Sequence, residues 1–497
     1  MTTRDDLIDT LRDFAKTDAA KEMDPHWTYG RRGFMKSSVA AAATVAMPFG
    51  LLGSGRAHAA KLPYSPDYGP LAPVADQTTG LPLLQLPEGF TYSSFGWTGD
   101  IMNDGIPTPS NHDGMAVIAS DASKVIIGRN HERGRSVSYA PAKITYDPTS
   151  GGGTTNMMFS PRTGQWVGAW ATLGGTIRNC AGGPTPWNSW ITCEETTDGT
   201  HNGSAKQHGY CFDVPASGAA RPVPLVDMGC FSHEAVAVDP VTGYIYETED
   251  STPSGLYRFI PNVPGRLEMG GKLQMMKLKT AFNAERTING TVYGYYNTAV
   301  GQTPGATFDV EWVDIDEPNK PFISGTSYGG VVAQGLVQGA SSISRGEGIW
   351  YGNGVIYVCS TNGGAARKGQ IFAYDPRRET FALVYESAGG VDDVDGPDNI
   401  AWSPRGSLIL CEDGGGNPKE LYGLTLDGTH FKFAQNNANF SATGFGAHTR
   451  PSGVRFSSNS TGSEFVGATF HNEWLFVGIQ SPGITYAITG PWDNGAL

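Results

Sequence analysis

Acidic side chains recur in this chain at one kind of place, the polar end of a short apolar run. Val125–His131 leads into Glu132, and Trp190–Cys193 leads into Glu194 and Glu195. Tyr244–Thr248 leads into Glu249 and Asp250, and Leu408–Cys411 leads into Glu412 and Asp413; Val355–Thr361 ends on the neutral Asn362. Crowded carboxylates repel one another unless cations neutralise them, and hard oxygen ligands in this number suit calcium or a similar ion. Any one acidic strand end is better read as facing water. Repetition at the same point argues for a metal-lined mouth.

Four segments go beyond that repeat. They are Asn179-Cys180-Ala181-Gly182-Gly183-Pro184-Thr185-Pro186-Trp187, Phe231-Ser232-His233-Glu234-Ala235, Arg345-Gly346-Glu347-Gly348 and Gly396-Pro397-Asp398-Asn399-Ile400. Arg345 and Glu347 alternate along an extended stretch and so face one side, which suits an anion clamp and equally a structural ion pair. Cys180 differs from the other cysteines in lying beside a glycine pair; a buried core thiol or a disulfide with Cys193 both stay open for it. His131 and His233 precede carboxylates and are candidates for orienting donors. The chain has no P-loop and no Gly-x-Ser-x-Gly elbow with a plausible triad, so Walker-type and serine-hydrolase chemistry lack support.

The elements that must position these residues are strands. The apolar runs, with Leu475–Gln480 as a further copy, recur roughly 50–65 residues apart, with one gap near twice that, the scale of four-stranded propeller blades. Gly255–Pro261 and Gly369–Pro376 read as second strands that end in turns. Glycine is abundant (67 residues), charged residues are only 17%, and helix signals are scarce. This suits short strands with tight turns. The expectation is an all-β chain, a β-propeller of six blades with loop insertions, whose equivalent strand ends surround one channel mouth.

The net charge of −13 and the lack of a basic cluster after the N-terminal region exclude nucleic acid as a natural partner. The six cysteines include no CxxC pair, so the usual spacing of a zinc ribbon or finger is missing. Most sit in apolar strand-like runs and read as small core residues.

The four segments, with Asn130-His131-Glu132, Thr192-Cys193-Glu194-Glu195, Cys411-Glu412-Asp413-Gly414 and Gln480-Ser481-Pro482-Gly483-Ile484-Thr485-Tyr486-Ala487, resemble the signature segments of the PhoX-type alkaline phosphatases. The resemblance covers nearly all the chain after residue 60. It implies an exported propeller that hydrolyses phosphate esters at two oxide-bridged ferric ions joined to three calcium ions. It implies that Cys180 is a thiolate ligand of iron, and that Glu234 and Glu347 are carboxylate ligands of iron. Glu132, Glu194, Glu195 and Glu249 are implied as ligands of iron or calcium. By the same resemblance Arg345, with Glu347, belongs to the catalytic set and grips the transferring phosphate. Such chemistry needs neutralised equatorial oxygens and an in-line arrangement, which clustered cations and an arginine fork supply. Two other readings compete: a calcium-dependent propeller hydrolase of another kind, such as a lactonase, and a non-catalytic calcium-binding propeller.

The first 59 residues read as a separate processing segment. Gly30-Arg31-Arg32-Gly33-Phe34-Met35-Lys36 is a paired-arginine motif, Ser37–Leu52 is a mildly apolar run broken by Pro48, and Ala57-His58-Ala59 is a small-x-small cleavage box. Together they read as a twin-arginine export signal, with an apolar run shorter than the ~20 residues of a membrane span. The expected domain therefore runs over 60–497, and the expected partners are the twin-arginine translocase and small phosphate esters. A periplasmic or secreted monomer without a membrane span is the corresponding expectation.

Overall fold

The computed structural model describes residues 61–323, 329–441 and 446–497, so the export-signal reading lies outside the described residues. Nearly every regular element is a strand, and the one α-helix among the described residues is the short Gly330–Leu336.

The strands form successive antiparallel units, each beginning with the strand nearest the centre. The first unit is His112–Ser120, Val125–His131, Gly152–Ser160 and Gln165–Thr176. The second has three strands, Asn179–Pro184, Ser189–Glu194 and Cys211–Pro215. The third runs from His233–Val238 through Ile245–Glu249 and Leu256–Pro261 to Gly271–Leu278, and the fourth from Gly346–Gly352 through Val355–Ser360 and Gln370–Asp375 to Thr380–Glu386. Thr307–Asp314 pairs with the outer strands of both, fusing them into a nine-stranded sheet. Pro397–Trp402, Leu408–Glu412, Glu420–Leu424 and His430–Asn436 make the fifth unit. The sixth is Phe465–His471, Trp474–Ile479 and Ile484–Thr489, completed by the early strand Thr91–Phe95.

The innermost strands touch in cyclic order, the sixth returning to the first. Hydrophobic clusters lie between consecutive units. Met157 of the first unit meets Phe476 of the sixth, Ile191 of the second meets Val236 of the third, and Tyr357 of the fourth meets Leu410 of the fifth. No unit buries its apolar faces alone, so stability is shared around the ring. The all-β expectation holds, and the arrangement is propeller-type. The register between Thr91–Phe95 and Ile484–Thr489 joins the two ends of the ring by backbone hydrogen bonds.

The inner strands approach so closely that side chains are excluded at defined points. A Cβ on Gly183 would lie 2.0 Å from the Val236 carbonyl oxygen, and one on Gly348 would lie 2.2 Å from that of Asp398. This is the physical reason for the glycine pair after Cys180 and for the glycine after Glu347. Further along the inner strands lies a cavity of about 20 Å³ lined by Met115, Ala181, Ala235, Ile349 and Ala468 among others.

Gly183→Ala should therefore destabilise the fold by about 1–3 kcal/mol or more, the usual cost of overpacking. Gly218→Ala, where a Cβ meets nothing within 4 Å, should leave it unchanged. Thermal unfolding of the two variants checks this; equal midpoints would refute the close-approach reading.

Candidate metal centre at the channel mouth

Each inner strand begins at the same end of the channel and brings a ligand-type side chain there. Asp113, Cys180, Glu234, Glu347 and Asp398 each occupy the second residue of their strand, and Glu464 immediately precedes the sixth. A shared backbone device stands behind four of them. The residue two positions earlier has a left-handed conformation: Asn111 (φ 53°), Arg178 (φ 50°), Arg345 (φ 48°) and Gly396 (φ 66°). Glycine adopts it freely and asparagine tolerates it, whereas an arginine does so at a cost of about 1–2 kcal/mol. The turn redirects the chain into the inner strand, and alternation aims the second residue into the channel.

These groups are close enough to share ions. The Cys180 sulfur and carboxylate oxygens of Glu195 and Glu234 lie within 4.8 Å of one another; so do those of Glu234, Glu347 and Asp398, and those of Asp398, Asp413 and Glu464. Glu234 and Asp398 belong to two groups each, so the cluster is continuous. Glu234 is buried and its Oε1 has no hydrogen-bond partner. Burial, reinforced by neighbouring carboxylates, pushes the pKa of Asp113, Glu234, Glu347 and Glu464 well above the ordinary range. Burial likewise raises the Cys180 thiol, with Asp113 and Glu234 adding to it. A set of oxygen donors with one thiol, buried at Glu195, Glu234, Glu347 and Asp398 and open at Asp413, fits cations that neutralise it.

Two arginines reach the same cluster from its rim. Arg345 donates from Nε and Nη2 to the two Asp250 oxygens (2.8 and 3.0 Å) and sits 2.5 Å from Glu347 Oε1. Burial opposes its charge, but Asp250 and Glu347 outweigh it and raise its pKa. Arg178 donates to Glu132 (3.2 Å) and to Glu195. Gln480, from the sixth unit, donates to Glu132 Oε2 at 3.1 Å and lies 3.4 Å from Asp113 Oδ2. Cys180 is held from the backbone: Asn130 Nδ2 donates to the Cys180 and Ala181 carbonyls, while its Oδ1 accepts from Trp190 and Thr192.

The expected ligands divide by strand alternation. Glu195, Asp250 and Asp413, each the second of an acidic pair, turn toward the cluster, as do Cys180, Glu234 and Glu347. The first members turn away. Glu194 accepts from His208 Nδ1 (2.6 Å) and from the backbone N–H groups of Ile177, Gly209 and Tyr210. Glu249 accepts from Tyr257 (2.6 Å) and Gly255, and Glu412 from Asp395. The structure thus does not bring Glu132, Glu194 or Glu249 into the ligand groups. Glu132 sits at the rim, tied to Arg178 and Gln480. His131 contacts Ser110 and Thr155, and His233 lies on the opposite face of its strand from Glu234.

Sequence reasoning missed Asp113, Glu464 and Arg178 and left Asp398 without a role. It followed the second strand of each repeat, whereas the channel is lined by the strand before it. The spacing turn–x–ligand, as in Arg178-Asn179-Cys180 and Arg345-Gly346-Glu347, was the available signal.

A family model described as alkaline phosphatase PhoX matches residues 66–169 and 153–483. The chain belongs to the alkaline phosphatase PhoX family. Membership places it among hydrolases of phosphoric ester bonds. Among solved structures, that of Pseudomonas fluorescens PhoX in complex with vanadate, a transition state analogue, is similar at 17% identity. It covers 86% of this chain and 99% of that one with a TM-score of 0.57, a likeness of fold. A gluconolactonase from Xanthomonas campestris (10% identity, 88% of this chain and 99% of that one, TM-score 0.37) is too distant to bear on fold or function. The same holds for a virginiamycin B lyase from Staphylococcus aureus (11%, 80% and 99%, 0.37). No curated protein matches the sequence.

The crowding in this PhoX-family mouth has a pH signature. Burial, with the Asp250 and Glu132 charges and against Arg178, lifts Glu195 from about 4.5 to about 8. A raised carboxyl leaves the fold most stable below its unfolded pKa and withdraws that stability as pH climbs through the folded one. The metal-stripped chain should therefore lose thermal stability between about pH 5 and pH 8, and added calcium should restore it more at the upper end. Equal calcium effects at both ends, in a melting series, would rule out proton–cation competition here.

Proposed function

We propose that this chain hydrolyses phosphate monoesters at a centre of iron and calcium ions, held at the mouth of a six-bladed propeller channel. The observation that carries this reading is the continuity of one thiol with six carboxylates, Cys180 and Glu195 through Glu234, Glu347 and Asp398 to Asp413 and Glu464. Cys180 is the soft donor and marks the iron side, with Glu195, Glu234 and Glu347 beside it. Asp398, Asp413 and Glu464 offer only oxygen and suit calcium. When bound, such ions neutralise the phosphoryl oxygens and act as Lewis acids.

The chain's own residues do the rest. Arg345 is held by Asp250 through two parallel hydrogen bonds, which fixes the plane of its guanidinium; its side chain is 37% exposed, so it presents donors to an incoming phosphate. Glu347 lies against the same Nη2 that donates to Asp250, which leaves Nη1 free of both carboxylates. Arg178, fixed by Glu132 and Glu195, presents a second cation on the second blade. All of these side chains gather at one end of the inner strands, so the ester meets ions and arginines at the same mouth. Glu194 and Glu249 act from behind, fixing the loops after their strands rather than binding ions.

Elemental analysis with assay on p-nitrophenyl phosphate tests the reading. The expected result is bound iron and calcium with turnover. An iron-free protein, inactive with calcium present, would overturn it in favour of a binding propeller. Arg345→Ala should lower kcat by about 10²–10³-fold, the cost of losing one transition-state donor, with the fold kept by circular dichroism. Cys180→Ser should lose iron while retaining calcium.

Export through the twin-arginine route is part of the same proposal, supported by Arg31 and Arg32 and the cleavage box at Ala57–Ala59. No helix among the described residues is long and apolar enough to cross a membrane. Replacing both arginines by lysine should leave the unprocessed precursor in the cytoplasm; unchanged export in a cell-fractionation assay would refute the signal.

A further inference from the structure

The opposite face of the His233–Val238 strand carries a second cluster of ligand-type side chains, and it is fully buried. Cys193 and Cys211 face each other on neighbouring strands of the second unit, and on the first two strands of the third a bulge after His233, whose register partner is Glu249, brings its Nδ1 to 3.4 Å from Glu247 Oε2. All four are 0% exposed. The Cys211 sulfur, His233 Nδ1 and a Glu247 oxygen lie within 4.8 Å of one another, and the Cys193 sulfur is 3.6 Å from that of Cys211.

Two further observations point to a ligand. Both carboxylate oxygens of Glu247 are buried without a hydrogen-bond partner, although Oε2 lies 3.4 Å from His233 Nδ1. His233 Nε2 lies 3.2 Å from the Gly229 carbonyl oxygen, which can only accept, so the proton sits on Nε2. Nδ1 therefore aims its lone pair at Cys211 and Glu247. This is how metal-ligating histidines are usually oriented. We propose that Cys193, Cys211, His233 and Glu247 form a buried structural site for one zinc-class divalent ion between the second and third units.

The edges among Cys211, His233 and Glu247 fit a shared ion; Cys193 lies outside that mutual group, 3.6 Å from the Cys211 sulfur, and must turn its sulfur toward His233 and Glu247 on binding to become the fourth ligand. With zinc–sulfur bonds of about 2.3 Å and zinc–nitrogen or –oxygen bonds of about 2.0–2.1 Å, the edges between ligands are about 3.8 Å for sulfur–sulfur, 3.6 Å for sulfur–nitrogen and 3.3 Å for nitrogen–oxygen. The structure has 3.6, 3.5 and 3.4 Å. A disulfide requires sulfurs about 2.05 Å apart, and both cysteines are free. A protonated Glu247 donating to Nδ1 would close to hydrogen-bond distance, about 2.7–3.2 Å. Ordinary packing sets sulfurs at similar separations, but it does not strand a carboxylate with two unpartnered oxygens beside an imidazole lone pair. The donor set of two sulfurs, one nitrogen and one oxygen matches zinc rather than calcium or magnesium.

The test uses the full chain produced in zinc-containing medium, then washed with a mild chelator. Elemental analysis should give about one zinc per chain, and X-ray absorption at the zinc edge should show two sulfur neighbours at about 2.3 Å. Two sulfurs separate this site from the channel cluster, whose ligand groups contain only Cys180. Cys211→Ser and Glu247→Gln should lower zinc content and thermal midpoint, while Cys359→Ser, a buried thiol outside the cluster, should keep the zinc. Zinc-free wild-type protein, an absorption spectrum with fewer than two sulfurs, or a Cys193–Cys211 disulfide in non-reducing mass spectrometry would overturn the proposal. The wild-type measurements stand even where a variant does not fold.

Discussion

The mutual repulsion of carboxylates at the channel mouth is the constraint on which the rest of the structure depends. Two unit charges 4.8 Å apart, the outer limit within each ligand group, repel by about 3–4 kcal/mol at an effective dielectric constant near 20. Six carboxylates in a continuous chain contain several such pairs. Arg178 and Arg345 are partly exposed, and exposed ion pairs contribute only about 0–1 kcal/mol each. Lys419, 3.4 Å from Asp413, adds one more charge at the rim. The protein's own cations therefore do not balance the cluster. Either protons or metal ions must do so, and a hydrolase of phosphoric esters, whose substrates carry negative charge, gains from cations there.

A second constraint follows, because ions hold carboxylates in place only if the strands carrying them cannot separate. Here the geometry of closure matters as much as the ligands. Thr91–Phe95, from early in the chain, completes the sheet built by its last strands, and each apolar cluster is shared between neighbouring units. Opening the mouth at any point breaks a shared core. The glycine contacts at Gly183 and Gly348 carry this to the channel wall, where backbone rather than side chain fills the space between blades.

How much of this was legible in the sequence depends on which periodicity was followed. The strands announced themselves through runs such as Val125–Ile127 and Leu408–Cys411, and the closed all-β architecture followed from their spacing. Cys180, Glu195, Glu234 and Glu347 were legible because each stands in a distinctive local segment. The acidic pairs misled in one respect. A strand's period of two sends neighbours to opposite faces, so Glu194, Glu249 and Glu412 could not join Glu195, Asp250 and Asp413. Which member faces inward depends on register against the inner strand, and bulges such as that between Thr192 and Glu194 shift it. Asp113 and Glu464 were invisible for another reason. Their segments carry no local mark beyond one acid, and only closure of the ring brings them beside Asp398.

The same alternation links the two clusters of this protein. His233 and Glu234 are consecutive, so one strand sends an imidazole between two blades and a carboxylate into the channel. On the next strand Glu247 and Glu249 straddle Thr248, whose hydroxyl donates to the Glu347 carbonyl at 2.5 Å. On the second unit Cys193 and Glu195 are two positions apart, and the irregularity at Thr192–Glu194 together with the end of the strand, rather than simple alternation, separates them. The register of Glu234 toward the channel is thus set by how the second and third units meet behind it. An apolar cluster alone tolerates small slips, because dispersion contacts are not directional. Directional bonds at Cys193, Cys211, His233 and Glu247 would forbid them, since a slip of one residue would send Glu234 out of the channel and His233 into it.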